Sequence, residues 1–185
     1  PTIHRDFFKI IECAYRLGYR IILQTNGRMF CYKDFTKKIS KYNVFFSIFL
    51  CGHDESIHDK LTLAPGSFKQ TLEGLKNLVK YGCEIEGKII ITKQNYRRMD
   101  EMCKIFIGFG INRIRLAFLT PLGSAKHNFH KVVPSYPEIK PYLRETLHFL
   151  KKMKVKIKIE AIPYCFIEKE FRKYVAEDLE RKPMD

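Results

Sequence analysis

At 185 residues, 45% of them hydrophobic and 29% charged, the sequence is long enough for one domain with a core and is not composed like a disordered chain. No apolar run approaches the roughly 18 residues of a membrane span, and nothing near Pro1 has a signal peptide's order of basic, apolar and small residues. The net charge of +14 would suit nucleic acid, anionic lipid or an acidic peptide, but the Lys and Arg residues are spread along the chain and the densest runs, TKKISK and LKKMKVKIK, interleave no aromatics, so neither nucleic acid nor membrane is expected as a partner.

In chain order, Phe7, Ile10, Ile11, Ala14 and Leu17 recur at helical spacing over residues 4–17, and Gly18 can close that helix. A short apolar strand, YRIILQ, follows. Residues 32–42 suit a helix and residues 43–50, NVFFSIFL, a strand apolar on both faces. Residues 51–66, CGHDESIHDKLTLAPG, read as a loop. Ser67 then caps a helix over 68–82 with Phe68, Leu72, Leu75, Leu78 and Val79 on one stripe and Gly82 at its end. A strand (84–92), a helix (96–110) and a strand (111–119) come next, then a long loop (120–134). A helix with early prolines (135–153) and a strand (154–162) lead into a loop and a final helix.

Five strands alternate with helices, which argues a parallel sheet with right-handed crossovers, either an open doubly wound sheet or part of a barrel. In both, ligands sit at the carboxyl ends of the strands. Those ends read QTNG, LCGHDESIHD, TKQN, FLTPLG and IPYC. Together they could ring a small polar molecule, although turns favour the same residues.

Gln24, Thr25 and Asn26 offer donors and acceptors, with Gly27 permitting a sharp turn. His53, Asp54, His58 and Asp59 form the densest group of metal-ligand types, readable as a metal site, an acid–base pair, or a solvated loop with Asp capping a turn. Asn95 can cap the helix after it. Thr120, Pro121 and Gly123 end another strand, where glycine lets a flat ring approach the backbone. Cys13, Cys31, Cys51, Cys83, Cys103 and Cys165 include no two within three residues of each other, so there is no CxxC clip and no disulfide scaffold. Mostly buried thiols in a reducing cytoplasmic setting are expected, with Cys165 readable as a buried thiol or a metal ligand. Walker, dinucleotide-binding and nucleophile-elbow motifs are all missing.

The segment PTIHRDFFKIIECAYRLGYRIILQTNGR resembles the middle of radical S-adenosylmethionine enzymes. So does FLCGHDESIHDKLTLAPGSFKQTLEGLKNLVKYG, whose G-H-D-x-x-x-H-D and G-S-F-x-x-T-x-x-G-x-x-N-L spacings are similar to a subgroup of that superfamily. IIITKQNY and IRLAFLTPLGSA follow in the family's order, so the resemblance runs from Pro1 to about Ala125 and more weakly to Cys165.

The resemblance implies an α/β fold, a partial TIM-type (β/α) barrel, six-stranded in the family, with residues 1–125 as the C-terminal part of the core barrel. Residues 126–185 would be the last helix–strand unit and the start of a C-terminal extension. It implies two cofactors, S-adenosylmethionine and a 4Fe-4S cluster held by a CxxxCxxC loop. Cleavage of the sulfonium to a 5′-deoxyadenosyl radical would abstract a substrate hydrogen, with a flavodoxin or ferredoxin as electron donor. An apolar barrel interior would shield the radical.

Carried over by position, Pro1 matches the end of the family's Gly-Gly-Glu-Pro motif, and Gln24, Thr25 and Asn26 match the polar strand end beside the cofactor. Phe49-Leu50-Cys51-Gly52 stands where the family has Ser-Leu-Asp-Gly; Phe49 replaces the hydroxyl, and Ser47, two residues earlier on the same face, is a candidate substitute. Asn95 and Thr120 fall where later strands approach the cofactor. Relatives with an IPxC segment continue into a tail holding an auxiliary iron–sulfur cluster, several of them acting on peptides. This makes Cys165 a candidate ligand and a peptide a candidate substrate. None of the six cysteines supplies CxxxCxxC, so the chain is expected to be an N-terminally truncated, inactive fragment with an exposed, aggregation-prone barrel edge. Two other readings are a metal-assisted barrel enzyme using His53, Asp54 and His58, and a basic nucleic-acid-binding module.

Overall fold

The computed structural model describes residues 1–175. Five parallel strands, β1 (Ile21–Thr25), β2 (Val44–Leu50), β3 (Glu84–Ile91), β4 (Arg113–Phe118) and β5 (Lys156–Glu160), lie side by side in sequence order. Because the order never reverses, right-handed crossovers place every connecting helix on the same side. That decides for the barrel arc and against the doubly wound sheet, whose strand order must reverse.

The helices are α1 (Phe7–Arg16), α2 (Lys33–Ile39), α3 (Glu55–Thr62), α4 (Ser67–Lys80), α5 (Met99–Gly108), α6 (Ser124–His127), α7 (Phe129–Val132) and α8 (Tyr136–Lys152). Their apolar stripes meet the alternate strand residues Leu23, Phe46, Ile48, Ile89, Leu116 and Ile159, all within one buried core. The unit after residue 125 adds β5 to this same sheet, and its Leu143, Leu147 and Phe171 enter the same core.

The opposite, concave face is not apolar, contrary to expectation. Register places Ser47 beside Glu86 and Lys88 beside Arg115, and Arg115 beside Lys158. Across this face Arg115 reaches Glu86 at 2.8 Å and Glu160 at 3.0 Å, and Lys88 reaches Glu160 at 3.1 Å. The strand period explains the difference: EIEGKIII and RIRLAF alternate charge with apolar bulk, so only one face can be apolar.

Four local readings change. Residues 51–66 contain α3: Asp54 accepts from the Ile57 backbone N–H at 2.8 Å, the N-cap bond that starts a helix inside a polar stretch. Ser67 is not the cap of α4; Gly66 is, and the Ser67 hydroxyl donates to Asp59 Oδ1 at 2.7 Å. The 120–134 loop holds the short α6 and α7, and the final helix is replaced in the described residues by 3₁₀ turns at Tyr164–Phe166 and Lys169–Tyr174. The remainder of that expected helix, 176–182, lies outside the described residues. α8 has a capping box, Ser135 with Glu138, and begins with Pro137 in its first turn.

The β1 turn is pinned by α4. Gly27 sits at φ 78°, and Gly74 of α4 faces it so closely that a Cβ at Gly74 would overlap the Gly27 carbonyl oxygen. A backbone oxygen cannot swing aside as a side chain can. Gly74→Ala is therefore expected to lower stability by about 1–3 kcal/mol, read as a shift in the urea midpoint; an unchanged midpoint would contradict this contact.

Candidate functional site

Two cavities open at the carboxyl ends of the strands. The first, of about 490 Å³, is lined by Pro1, Gln24, Thr25, Asn26, Arg28 and Gln70, with Tyr32 and Phe49 among its apolar walls. Thus four of the sequence-selected residues share one cavity. Gln24 projects from the exposed face of β1. Thr25 is buried and its hydroxyl accepts from the Gly27 N–H at 3.3 Å. Asn26 Oδ1 accepts from the Arg28 N–H at 3.2 Å, and the Asn26 carbonyl accepts from the Thr71 hydroxyl at 3.0 Å. Arg28 Nε donates to Gln70 Oε1 at 2.7 Å, which fixes the guanidinium at the cavity edge. Arg28 and Gln70 were missed by sequence reasoning; Arg28 directly follows QTNG, but Gln70 comes from α4 and carries no local signal.

The second cavity, of about 440 Å³, lies at the ends of β2, β3 and β4. Cys51, Leu63, Ile90 and Leu119 form apolar wall, while Thr92 and Gln94 supply oxygens. The Thr92 hydroxyl and Gln94 Oε1 are buried and have no hydrogen-bond partner. Leaving such a group unpaired costs about 1–3 kcal/mol, and both of these residues line the second cavity. Both cavities reach the end of β2, one at Phe49 and the other at Cys51.

The other selected residues lie outside both cavities. Ser47 is buried one inner-face step below Phe49 and donates to Glu86 at 3.4 Å. Asn95 stands at the N-cap of the 3₁₀ turn Tyr96–Arg98, but its side chain makes no capping bond: it is fully buried, accepts from the Thr92 N–H at 2.8 Å and donates to the Cys51 and Ile90 carbonyls at 2.8 and 2.7 Å. Its whole amide is spent joining the ends of β2 and β3, so it shapes the second cavity from behind. Thr120 is exposed beyond β4. Cys165 is exposed, not a buried thiol, and among the described residues only Cys103 is fully buried. Burial does raise the thiols of Cys51 and Cys83 to about 11.

His53, Asp54 and His58 do not converge as metal ligands. His58 is buried and held neutral chiefly by that burial, and its Nδ1 accepts from the Cys51 N–H at 3.3 Å. His53 faces Asp54 at 3.2 Å and Glu101 at 3.4 Å. Among the described residues, the group with metal-ligand spacing is His148, Glu168 and Glu170, where Arg144 and Lys151 already pair with the two carboxylates.

Asp59 organises the turn between α3 and α4. It accepts from the Gly66 and Phe68 N–H groups at 2.5 and 2.8 Å and from the Ser67 hydroxyl at 2.7 Å. Burial pushes its pKa up, and these hydrogen bonds outweigh burial and hold it below the usual 3.8. A depressed folded pKa gives stability that is complete above 3.8 and lost as pH falls through the lower folded value. Asp59→Asn is expected to lower the urea midpoint at neutral pH and flatten its fall under acid; an acid slope identical to that of the unaltered protein would contradict the assignment.

No family model matches the chain. It is 23% identical over 166 residues to an AdoMet-dependent heme synthase of Oleidesulfovibrio alaskensis, covering 90% of this chain and 42% of that protein. It is 25% identical over 162 residues to a probable GTP 3′,8-cyclase of Saccharolobus islandicus, covering 86% of this chain and 49% of that protein. The chain therefore spans less than half the length of these relatives. Its fold matches Streptococcus suis SuiB, in a structure bound to the precursor peptide SuiA, with a TM-score of 0.71 at 14% identity over 90% of this chain and 37% of that one. SuiB bound to S-adenosylmethionine gives 0.69, over 90% of this chain and 36% of that one.

Proposed function

The chain belongs to the radical S-adenosylmethionine superfamily, and from that premise we propose that its two carboxyl-end cavities together hold one S-adenosylmethionine. The observation that carries this is the pair of unpartnered oxygens, Thr92 Oγ1 and Gln94 Oε1, in the largely apolar second cavity. An adenine has a flat apolar face and an amino group that donates, which fits those walls and those acceptors. The first cavity suits the methionine end: Arg28 supplies a fixed cation for a carboxylate, while Gln24 and Asn26 supply amides.

Bound together, S-adenosylmethionine and a 4Fe-4S cluster supply a 5′-deoxyadenosyl radical for hydrogen abstraction. The residues of this chain orient the nucleoside, neutralise the carboxylate and keep water from the apolar wall. The cluster's CxxxCxxC ligands are not among these 185 residues. A peptide is the substrate reading favoured by the fold shared with SuiB and by the net charge of +14, which attracts acidic segments. A flavodoxin or ferredoxin would deliver the electron, and the six free cysteines suit a reducing cytoplasm. Among the described residues, no helix is long and apolar enough to cross a membrane.

Two measurements test this on the whole protein with its cluster reconstituted anaerobically. Reduction in the presence of S-adenosylmethionine should release 5′-deoxyadenosine. Thr92→Val should weaken S-adenosylmethionine binding about tenfold in calorimetry, the size of one lost buried hydrogen bond. Absence of binding, or affinity untouched by Thr92→Val, would overturn the placement.

A further inference from the structure

Parallel barrels ordinarily fill their interior with layers of branched apolar side chains. Here the concave face carries Glu86, Lys88, Arg115 and Glu160 in one hydrogen-bonded array. Such an array is a poor device for stability, since desolvation offsets most of the attraction between partly buried charges. The sheet also has its full apolar core on the other side.

Position suggests another role. Register sets Ile90 beside Ala117 and Ala117 beside Glu160. Ile90 lines the second cavity, so Glu160 stands at the same height on the concave face and Lys88 one step below. The four charges are also unequal. Glu160 lies on the edge strand and its side chain is 37% exposed, against 13% for Lys88 and 20% for Arg115. One Glu160 carboxylate serves both cations, with Lys88 at 3.1 Å and Arg115 at 3.0 Å. Lys158, beside Arg115 in register, is exposed and has no acidic partner among the described residues. Two acids thus face three bases.

We propose that this array is a carboxylate-recognition site for the substrate, and that Glu160 is a stand-in which the substrate's carboxylate displaces from Lys88 and Arg115. The ligand chemistry is a carboxylate, borne either by an acidic peptide side chain or by a small carboxylic acid. The inference rests on the radical-enzyme reading only for the side from which substrate arrives. Burial tends to raise the Glu160 pKa, and the hydrogen bonds from Arg115 and Lys88 hold it low, so the stand-in is ionised at neutral pH.

The test uses the whole protein loaded with S-adenosylmethionine, and calorimetry with three probes. These are glutarate, a terminally blocked Gly-Glu-Gly-Glu-Gly peptide, and the same peptide with Gln for Glu. Glu160→Gln should bind the acidic probes about tenfold more tightly, because two cations are released to the ligand. Lys88→Met should bind them about tenfold more weakly, and the Gln peptide should not bind. If Lys88→Met fails to fold, the exposed Lys158→Gln takes its place with the same direction expected. A purely structural network could lose stability in these variants but would never tighten a ligand. Tighter binding of the peptide than of glutarate assigns a peptide source; the reverse assigns a small acid. No binding of either acidic probe, or no gain in Glu160→Gln, overturns the proposal. Loss of S-adenosylmethionine binding alone, with the probe responses intact, would fail the cofactor reading and leave this one standing.

Discussion

The structure depends on one constraint: five parallel strands laid down in sequence order send every crossover to the same side. Each strand, with its period of two, is thereby divided between a face that must be apolar and a face free to be anything else. Leu23, Phe46, Ile89, Leu116 and Ile159 meet the helices. Ser47, Glu86, Lys88, Arg115 and Glu160 are left on the concave side, where they bond to one another. The same constraint gathers all five carboxyl ends at one rim, which is why residues as distant in sequence as Gln24 and Gln94 serve neighbouring cavities.

The rim is held by contacts that leave no slack. Gly74 presses against the Gly27 carbonyl, Thr71 bonds the Asn26 carbonyl, and Asn77 donates to the Phe30 carbonyl at 2.9 Å, so α4 grips the β1 turn at three successive levels. Asn95 does the same between the ends of β2 and β3. Residues near the site hold backbone, line a cavity, or do both. Asn95 holds backbone and Arg28 lines a cavity, whereas Thr25 lines a cavity while accepting from the Gly27 N–H, and Gln94 lines one while donating to the Lys131 carbonyl. Sequence position alone does not separate these roles.

That division explains what could be read in advance. The five strands, their order of alternation with helices and the polar rim were legible because apolar periodicity and turn residues are local signals. Gln24, Thr25 and Asn26 were legible as one group because they adjoin a single strand end, whereas Pro1 was reached only through its match to the Gly-Gly-Glu-Pro motif. The array of Glu86, Lys88, Arg115 and Glu160 was not, since EIEGKIII and RIRLAF read simply as strands until their register is known. Gln70 was hidden because it reaches Arg28 from 42 residues away. Asn95 was noticed but misassigned as a cap: its amide bonds Cys51 and Ile90 carbonyls that come together only in the folded sheet. The α3 helix was hidden by its polar composition, its start being fixed by one Asp54 bond rather than by an apolar stripe.

Whether the two cavities form one cofactor site is read by hydrogen–deuterium exchange on the whole protein, with and without S-adenosylmethionine. One shared site slows exchange at both rims, in peptides covering residues 24–32 and 90–95, and leaves the edge strand β5 unaffected. Protection of only one rim, or protection confined to segments away from the carboxyl ends of the strands, would contradict it.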